Sequence, residues 1–238
     1  MNWNEIFEKH QLDYSELDKF QEKEGVKLCN EDDFTANENW CKEYELGFNL
    51  LPIFTNDESD FVGIYTTGIL TGKVACVNHD NIDFSPRFRS LKSFINTIAE
   101  TQFAFDWQDL PLDSFDYPTK QELSQTKQEE DNKVLAECWN LIARNKFVSD
   151  DNYELVAKTI MHLTPYTNLE KVLCFLDDKN NFVQSKAIWL FGVYYQYLPA
   201  KEKIKEIVEK PTFKNIILLK QCYNGEFKKQ SLWKRIFG

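Results

Sequence analysis

The apolar residues at the start of the chain recur at helical spacing. Trp3, Ile6 and Phe7 fall on one side of a helix with 3.6 residues per turn. The pattern predicts one or two short amphipathic helices that end near Gly25. Residues 26–48 are ambiguous between helix and strand. The further apolar members of the helical pattern are Leu12, Leu17 and Phe20.

Three short β-prone runs come next. Residues 50–54, 61–65 and 73–77 are rich in apolar side chains, and polar residues 56–60 and a glycine-containing loop separate them. This arrangement predicts an antiparallel meander. A helix is expected to follow from Ser90, which makes the first half of the chain α+β. The apolar residues that recur three and four positions apart in that helix are Leu91, Phe94, Ile95 and Ile98.

The second half has helical patterns almost throughout. Asp151 and Glu154 have the spacing of a capping box, which predicts that a helix opens there. Asn168 precedes a second apolar segment of helical period, and Asn180 and Asn181 form a turn before a third. We therefore expect paired helices.

Two features of these pairs suggest a repeat. Pro165 and Pro199 end successive helix pairs and lie 34 positions apart, close to the period of helical-hairpin repeats. Residues 169–195 also resemble a HEAT repeat, with an apolar helix, an Asp-Asp turn and a second helix carrying a small alanine. An ordinary helical bundle remains the alternative.

Charge divides the 238 residues more clearly than hydropathy does. Residues 1–130 contain 26 acids and 11 bases, and residues 131–238 contain 12 acids and 17 bases. The net charges are therefore −15 and +5, which suggests two units with different surfaces. We predict an α+β domain at 1–118, a polar linker at 119–131 and an all-α helical-hairpin domain at 132–238.

Composition predicts a folded cytoplasmic protein. Hydrophobic residues make up 42% and aromatic residues 15% of the chain, enough for a real core. The N-terminus does not resemble a secretory signal, and the longest apolar stretch is too short to cross a bilayer. The six scattered cysteines predict buried, reduced thiols, and the three histidines lack a second ligand at metal spacing.

The motifs that mark common active sites are absent from the sequence. There is no glycine-rich phosphate loop, HExxH, GxSxG or DxDxDG. Cys76, His79 and Asp80 could supply a nucleophile, a base and its orienting acid, but adjacent residues on a strand point to opposite faces. We therefore predict no catalytic residue, no metal and no cofactor.

Nucleic-acid binding is disfavoured in the first half, because an acidic surface repels phosphates. A basic and aromatic patch near the C-terminus is an alternative, although an amphipathic helix explains the same residues equally well. The patch consists of Lys228, Lys229, Trp233, Lys234, Arg235 and Phe237. We predict neither a nucleic-acid partner nor a membrane partner.

A family resemblance extends over roughly residues 46–100. It is carried by Leu51-Pro52-Ile53-Phe54, Asn56-Asp57, Asp60-Phe61, Gly68, Gly72-Lys73-Val74, His79-Asp80 and Leu91-Lys92-Ser93-Phe94-Ile95. This pattern resembles the SUKH superfamily, which contains fungal cell-wall-synthesis regulators and many bacterial immunity proteins. One departure concerns the family's Leu-Pro element and Gly-Gly turn, which are approximated here by residues 17–20 and Gly25 without the Leu-Pro.

The resemblance implies a non-catalytic α+β domain that neutralises a toxin, commonly a nuclease, by binding it. The acidic first half fits a basic partner, such as a polymorphic toxin domain, because opposite charge speeds encounter. Acids in loops beside strands are the candidate contact residues, and turn formation is their alternative role. The predicted partner-binding residues are Glu31, Asp32, Asp33, Asp57, Glu58 and Asp60.

Two further functional classes remain open from the sequence. One is a protein–protein scaffold or regulator that acts through the helical second half. The other is an enzyme or nucleic-acid binder. A neighbouring gene for a large toxin with a variable C-terminal nuclease would favour the immunity protein.

Overall fold

The computed structural model of the chain describes residues 1–23, 25–56, 60–101, 107, 110–119 and 123–209. The first half contains an antiparallel sheet with helices around it, and the described part of the second half is helical. The predicted α+β class is therefore confirmed. The described residues divide into two compact units, one within residues 1–163 and the other within residues 164–209.

The sheet of the first unit has the predicted meander topology. Its strands are β1 (Lys27–Leu28), β2 (Leu50–Thr55), β3 (Phe61–Tyr65) and β4 (Val74–Val77), and each pairs antiparallel with the next. The register between β2 and β3 shifts between Pro52 and Phe54. Such a bulge lets two successive residues of a strand face the same side.

Both faces of the sheet are buried, which explains why the strands have continuous apolar sequences. Alternate residues of β3 belong to two different apolar clusters: Val62 and Ile64 to one, Phe61 and Tyr65 to the other. The first cluster includes residues of the N-terminal helices and of the helix after the sheet. The second includes Leu155 from the helical part of the unit. Helices therefore cover the sheet on both sides.

Five α-helices surround this sheet within the described part of the first unit. Four of them begin after a polar residue whose side chain accepts a backbone hydrogen bond: Asn2, Asn30, Ser90 and Ser149 precede the first, second, third and fifth helices. Residues 26–48, which the sequence left ambiguous between helix and strand, contain both the short strand β1 and the second helix. The five are α1 (Trp3–Lys9), α2 (Glu31–Lys42), α3 (Leu91–Glu100), α4 (Gln125–Arg144) and α5 (Asp150–Leu163).

The predicted linker at residues 119–131 differs from the division between the units. Helix α4 begins inside this stretch and belongs, with α5, to the first unit. The reason lies in Asp131, which is 2% exposed and pairs with Arg89 and Lys73. Residues 123–131, which have the composition of a solvated linker, are thus part of a folded unit, because the carboxylate of Asp131 meets buried cations.

The start of α5 also differs from the prediction. The hydroxyl of Ser149 accepts a hydrogen bond from the amide of Asn152 at 3.0 Å. Glu154, the predicted capping-box acid, instead accepts a hydrogen bond from Lys158 at 2.5 Å. Burial raises the pKa of Glu154, so an ammonium partner one turn away compensates for its desolvation.

The second unit is described over residues 164–209. A 3₁₀ segment (Tyr166–Asp177) packs against α6 (Asn181–Trp189), and the predicted turn is present because the side chain of Asn180 caps α6. A π-helical turn (Leu190–Tyr194) and α7 (Lys201–Glu209) follow. None of the described helices is long and apolar enough to cross a membrane.

Candidate functional site

Helix α2 presents the acids that the sequence singled out at its first turn. Glu31 and Asp32 are exposed, whereas Asp33 is half-buried and accepts a hydrogen bond from the amide of Asn30. Asn30 in turn accepts from the amides of Asp32 and Asp33 at 2.9 Å. Carboxylates in the first turn also interact favourably with the helix dipole. These three predicted site residues therefore lie together.

An open groove of about 710 Å³ lies beside these acids. One stripe of α2 lines it, with Asp33, Asn37 and Trp40 at the three- and four-residue spacing of a helix face. Residues of β1, the end of β2 and His79 after β4 complete the lining. We call this feature the α2 groove.

The α2 groove is acidic. Glu22, Asp33 and Glu43 contribute carboxylates, and Lys27 is the lysine of its lining. Glu43 is the C-cap of α2, where the helix dipole disfavours a negative charge. The position of this acid therefore costs a little stability, which an attraction for a cation would offset.

An aromatic wall stands inside the groove. The rings of Trp40 and His79 stack with centroids 4.4 Å apart and planes 22° apart. Tyr44, Phe61 and Phe84 pack around the same indole with centroid distances of 5.1, 5.9 and 5.8 Å. The indole is thus held in one orientation, and His79, whose side chain is 37% exposed, covers part of it.

A second, smaller groove of about 270 Å³ is lined by other residues of α2 and by the loop that follows it. Its acids are Glu38 and Glu45, and Glu38 already forms an ion pair with Lys42 at 2.8 Å. The α2 groove is the stronger candidate because it is larger and has three carboxylates beside one lysine.

Asp60, another predicted binding residue, is inside the protein. It is 3% exposed, and its carboxylate accepts hydrogen bonds from the amide of His79 at 2.8 Å and the side chain of Asn78 at 3.1 Å. Its own amide donates to the side chain of Asn56 at 2.9 Å. Asp60 therefore connects the turn after β2 to the loop after β4. Asp57 and Glu58 lie outside the described residues.

His79 and Asp80 form neither a base with its orienting acid nor two neighbours on opposite faces of a strand. Both residues lie in the loop after β4. The Nδ1 atom of His79 lies 3.7 Å from Asp60, while the amide of Asp80 donates to the side chain of Asn78. His79 thus belongs to the wall of the groove, and Asp80 belongs to an exposed turn.

A buried ion network lies elsewhere in the first unit. The carboxylate of Asp131 lies 2.9 Å from Arg89, 3.3 Å from Lys73 and 2.5 Å from the hydroxyl of Tyr117. Arg89 also pairs with Asp116 at 3.0 Å. We call these five residues the Asp131 network. It combines acid, base and phenol, but its side chains are enclosed, which suits the attachment of α4 rather than catalysis.

Burial controls the protonation of this network. Burial raises the pKa of Tyr117, and the neighbouring carboxylate of Asp131 adds to the effect, so the phenol stays protonated and donates its hydrogen. Burial alone would lower the pKa of Arg89, but the carboxylates of Asp131 and Asp116 outweigh it and raise the pKa, so the guanidinium keeps its charge.

A serine and a histidine also meet in the interior. Ser85 Oγ lies 3.2 Å from His162 Nδ1, and both residues are fully buried. The serine hydroxyl also lies 2.5 Å from Asp83, while the same histidine nitrogen is 3.0 Å from the carbonyl of Pro86. This cluster fastens the loop before Phe88 to α5 and lines neither groove.

The cysteines differ in exposure more than predicted. Cys29, Cys41 and Cys138 are buried, and burial raises the pKa of each to about 12. Cys174 is exposed, contrary to the expectation of buried thiols, because it lies on the outer side of the 3₁₀ segment. Cys222 lies outside the described residues.

Sequence reasoning missed Asn37, Trp40, Glu43 and Glu22. The first three lie in the stretch that had no clear pattern, and α2 has only a weak apolar face. The usable signal was Asn30 followed three residues later by Asp33, the spacing of a capping box. Assigning α2 from that signal would have placed Asp33, Asn37 and Trp40 on one face.

No family model, curated protein or solved structure matches this chain. Within the described ranges, no group of three or more histidine, cysteine or acidic side chains is placed to hold a metal ion. The candidate site therefore rests on its own geometry and charge.

Proposed function

We propose that this chain is a non-catalytic immunity protein that binds and neutralises a basic bacterial toxin domain. The binding face consists of Glu31 and Asp32 with the α2 groove beside them. The observation that carries the proposal is the groove itself, where carboxylates outnumber cations next to exposed acids. The SUKH resemblance supplies the class of partner, with a nuclease as the commonest toxin.

Long-range charge supports this function. The acidic first half attracts a basic protein and raises its rate of association, and a nuclease that holds phosphates carries such a surface. A binding face also needs residues that can change without unfolding the protein. Glu31 and Asp32 meet this condition because they are exposed on the first turn of α2.

A scaffold or regulator acting through the second unit is the alternative. Phe182 and Leu198 are 64% and 77% exposed, and Tyr166 is 45% exposed. Large exposed apolar side chains are more frequent at protein-binding surfaces than elsewhere. The HEAT-like pattern of residues 169–195 belongs to the same alternative.

The test begins with recovery of the partner from the native host and identification by mass spectrometry. Stopped-flow association is then measured between 0.02 and 1 M salt, over which the Debye length falls to about 3 Å. We expect a basic toxin whose association slows steeply with salt, whose toxicity is neutralised, and whose covalent mass is unchanged after binding.

The decisive variant is Glu31→Lys with Asp32→Lys. We expect about tenfold slower association at low salt, because steering depends on the charge of the face. The matched control reverses Glu129 and Glu130, another exposed acidic pair on a helix of the same unit. An acidic partner, salt-independent association or equal effects of the two variants contradict the proposal. A partner retained by the second unit alone favours the scaffold.

A further inference from the structure

We propose that the α2 groove receives an arginine side chain of the basic partner. Its guanidinium would contact Glu43, Asn37 and the stacked rings of Trp40 and His79. The inference rests on the function proposed above and specifies the anchor of that interaction.

The charge of the groove selects a cation. Its carboxylates come from two segments: Glu22 lies before β1, and Asp33 and Glu43 lie at the start and the end of α2. Asp33 is partly used by the cap of α2, whereas Glu22 and Glu43 are exposed. A side chain that enters along α2 would therefore meet Glu43 as an acceptor with little desolvation cost.

Asn37 is an independent indication of a ligand. It lines the groove although it is only 6% exposed. One hydrogen bond of the Asn37 side chain is with the Cys29 thiol. A primary amide can make four hydrogen bonds, and a buried amide loses stability when its capacity is unused. The remaining capacity of Asn37 is available to a donor in the groove.

The aromatic wall distinguishes arginine from lysine. A guanidinium is planar and stacks on aromatic rings, and its fork of N–H groups fits a carboxylate and an amide oxygen together. An ammonium is compact, strongly hydrated and unable to stack as a plane. The Trp40–His79 stack beside Glu43 and Asn37 offers the features that a guanidinium uses.

The direct test uses three small probes on the intact chain: the N-acetyl amides of arginine, lysine and citrulline. Citrulline has nearly the shape of arginine but no charge. Two-dimensional NMR follows the indole signal of Trp40, assigned with a Trp40→Phe variant, and the ring signals of His79. We expect millimolar binding of the arginine probe, at least fivefold weaker binding of the lysine probe and no response to citrulline.

Two variants locate the binding. Glu43→Gln removes one groove carboxylate, and we expect at least threefold weaker binding of the arginine probe. Glu45→Gln is the matched control, since Glu45 is exposed and lines only the smaller groove. Asn37→Ser replaces the amide with a shorter hydroxyl side chain, and we expect weaker binding there too. Thermal unfolding checks that each variant is folded.

The outcomes separate this inference from the proposed function. Equal binding of arginine and citrulline, or equal effects of Glu43→Gln and Glu45→Gln, overturns the arginine subsite. If the same Glu43 variant leaves partner affinity unchanged while reversal of Glu31 and Asp32 slows association, the immunity function stands without this anchor. If the arginine probe binds but no basic partner exists, the subsite stands and the proposed function fails.

Discussion

The Asp131 network and the α2 groove use similar residues for opposite purposes. Both combine aspartate or glutamate, basic groups and an aromatic ring within the first unit. In the network the side chain of Asp131 is only 2% exposed and meets two cations and a phenol. In the groove, Glu22 and Glu43 are exposed, and cations are fewer than acids.

The difference shows how solvent decides what a charge does. A carboxylate taken out of water loses several kcal/mol of hydration, so it persists only where partners replace the water. An exposed carboxylate keeps its hydration and contributes little to stability, which leaves it available to a partner. The network therefore holds α4 in place, and the groove is suited to binding.

The largest effect is expected at Asp131. Asp131→Ala would leave the buried cations Arg89 and Lys73 without their carboxylate, so the free energy of unfolding should fall by about 3–5 kcal/mol. Urea denaturation measures this loss. Glu130→Ala, at the exposed neighbouring position, should change stability by less than about 0.5 kcal/mol. Similar losses for both variants would mean that the network does not attach α4.

A variant of Asp60 tests whether this predicted binding acid has a structural role, as Asp131 has, or a binding role, as we propose for the acids of the α2 groove. Asp60→Ala removes the acceptor of the His79 amide and the Asn78 side chain, and we expect a loss of about 3 kcal/mol. Asp80→Ala in the exposed turn is the control. If the Asp60 variant is fully stable but binds the partner more weakly, Asp60 is a binding residue, as the sequence predicted.

The buried thiols make the free energy of unfolding depend on pH. A thiol in the unfolded chain ionises near its ordinary pKa of 9.0, whereas Cys29, Cys41 and Cys138 keep their protons up to a pKa of about 12. From pH 9 to 12 the unfolded state therefore releases protons that the folded state retains. Each thiol should lower the free energy of unfolding by about 1.4 kcal/mol per pH unit above pH 9.

Urea denaturation at pH 8, 9 and 10 measures this slope. Cys138→Ala should reduce it by one thiol's share, and Cys174→Ala should change it much less because Cys174 is exposed.

In the Asp131→Ala protein, Cys138 should react with iodoacetamide before Cys29 and Cys41 do, because Cys138 lies two turns along α4 from Asp131. Equal reactivity of the three thiols would show that loss of the Asp131 carboxylate does not loosen α4 selectively.

The smallest effect on stability is expected at Glu43. Glu43→Gln removes a negative charge from the C-terminal end of α2, so stability should stay the same or rise by up to about 1 kcal/mol. Partner binding should weaken at the same time. Thermal unfolding and association kinetics on the same sample check the two changes together. A loss of stability would show that Glu43 has a structural role.

The sequence by itself determined the elements with strong periodicity and clear caps. Continuous apolar runs specified β2, β3 and β4, since strands covered on both faces have no polar side. Ser90 and Asn180 marked the starts of α3 and α6, because a side-chain acceptor before a helix satisfies its free amides. Local hydrogen bonding and burial pattern are enough for such elements.

Only the tertiary structure decided which polar residues are inside. Asp60 and Asp131 have the sequence context of turn and linker acids, yet the partners that bury each of them include residues 14 or more positions away in the chain. Asp32 has a similar local sequence and remains exposed. The physical reason is that the free energy of a carboxylate depends on the groups that surround it in space. Residues 73, 79, 89 and 117 are distant in the sequence and reach the carboxylates of Asp60 and Asp131 only when the chain folds.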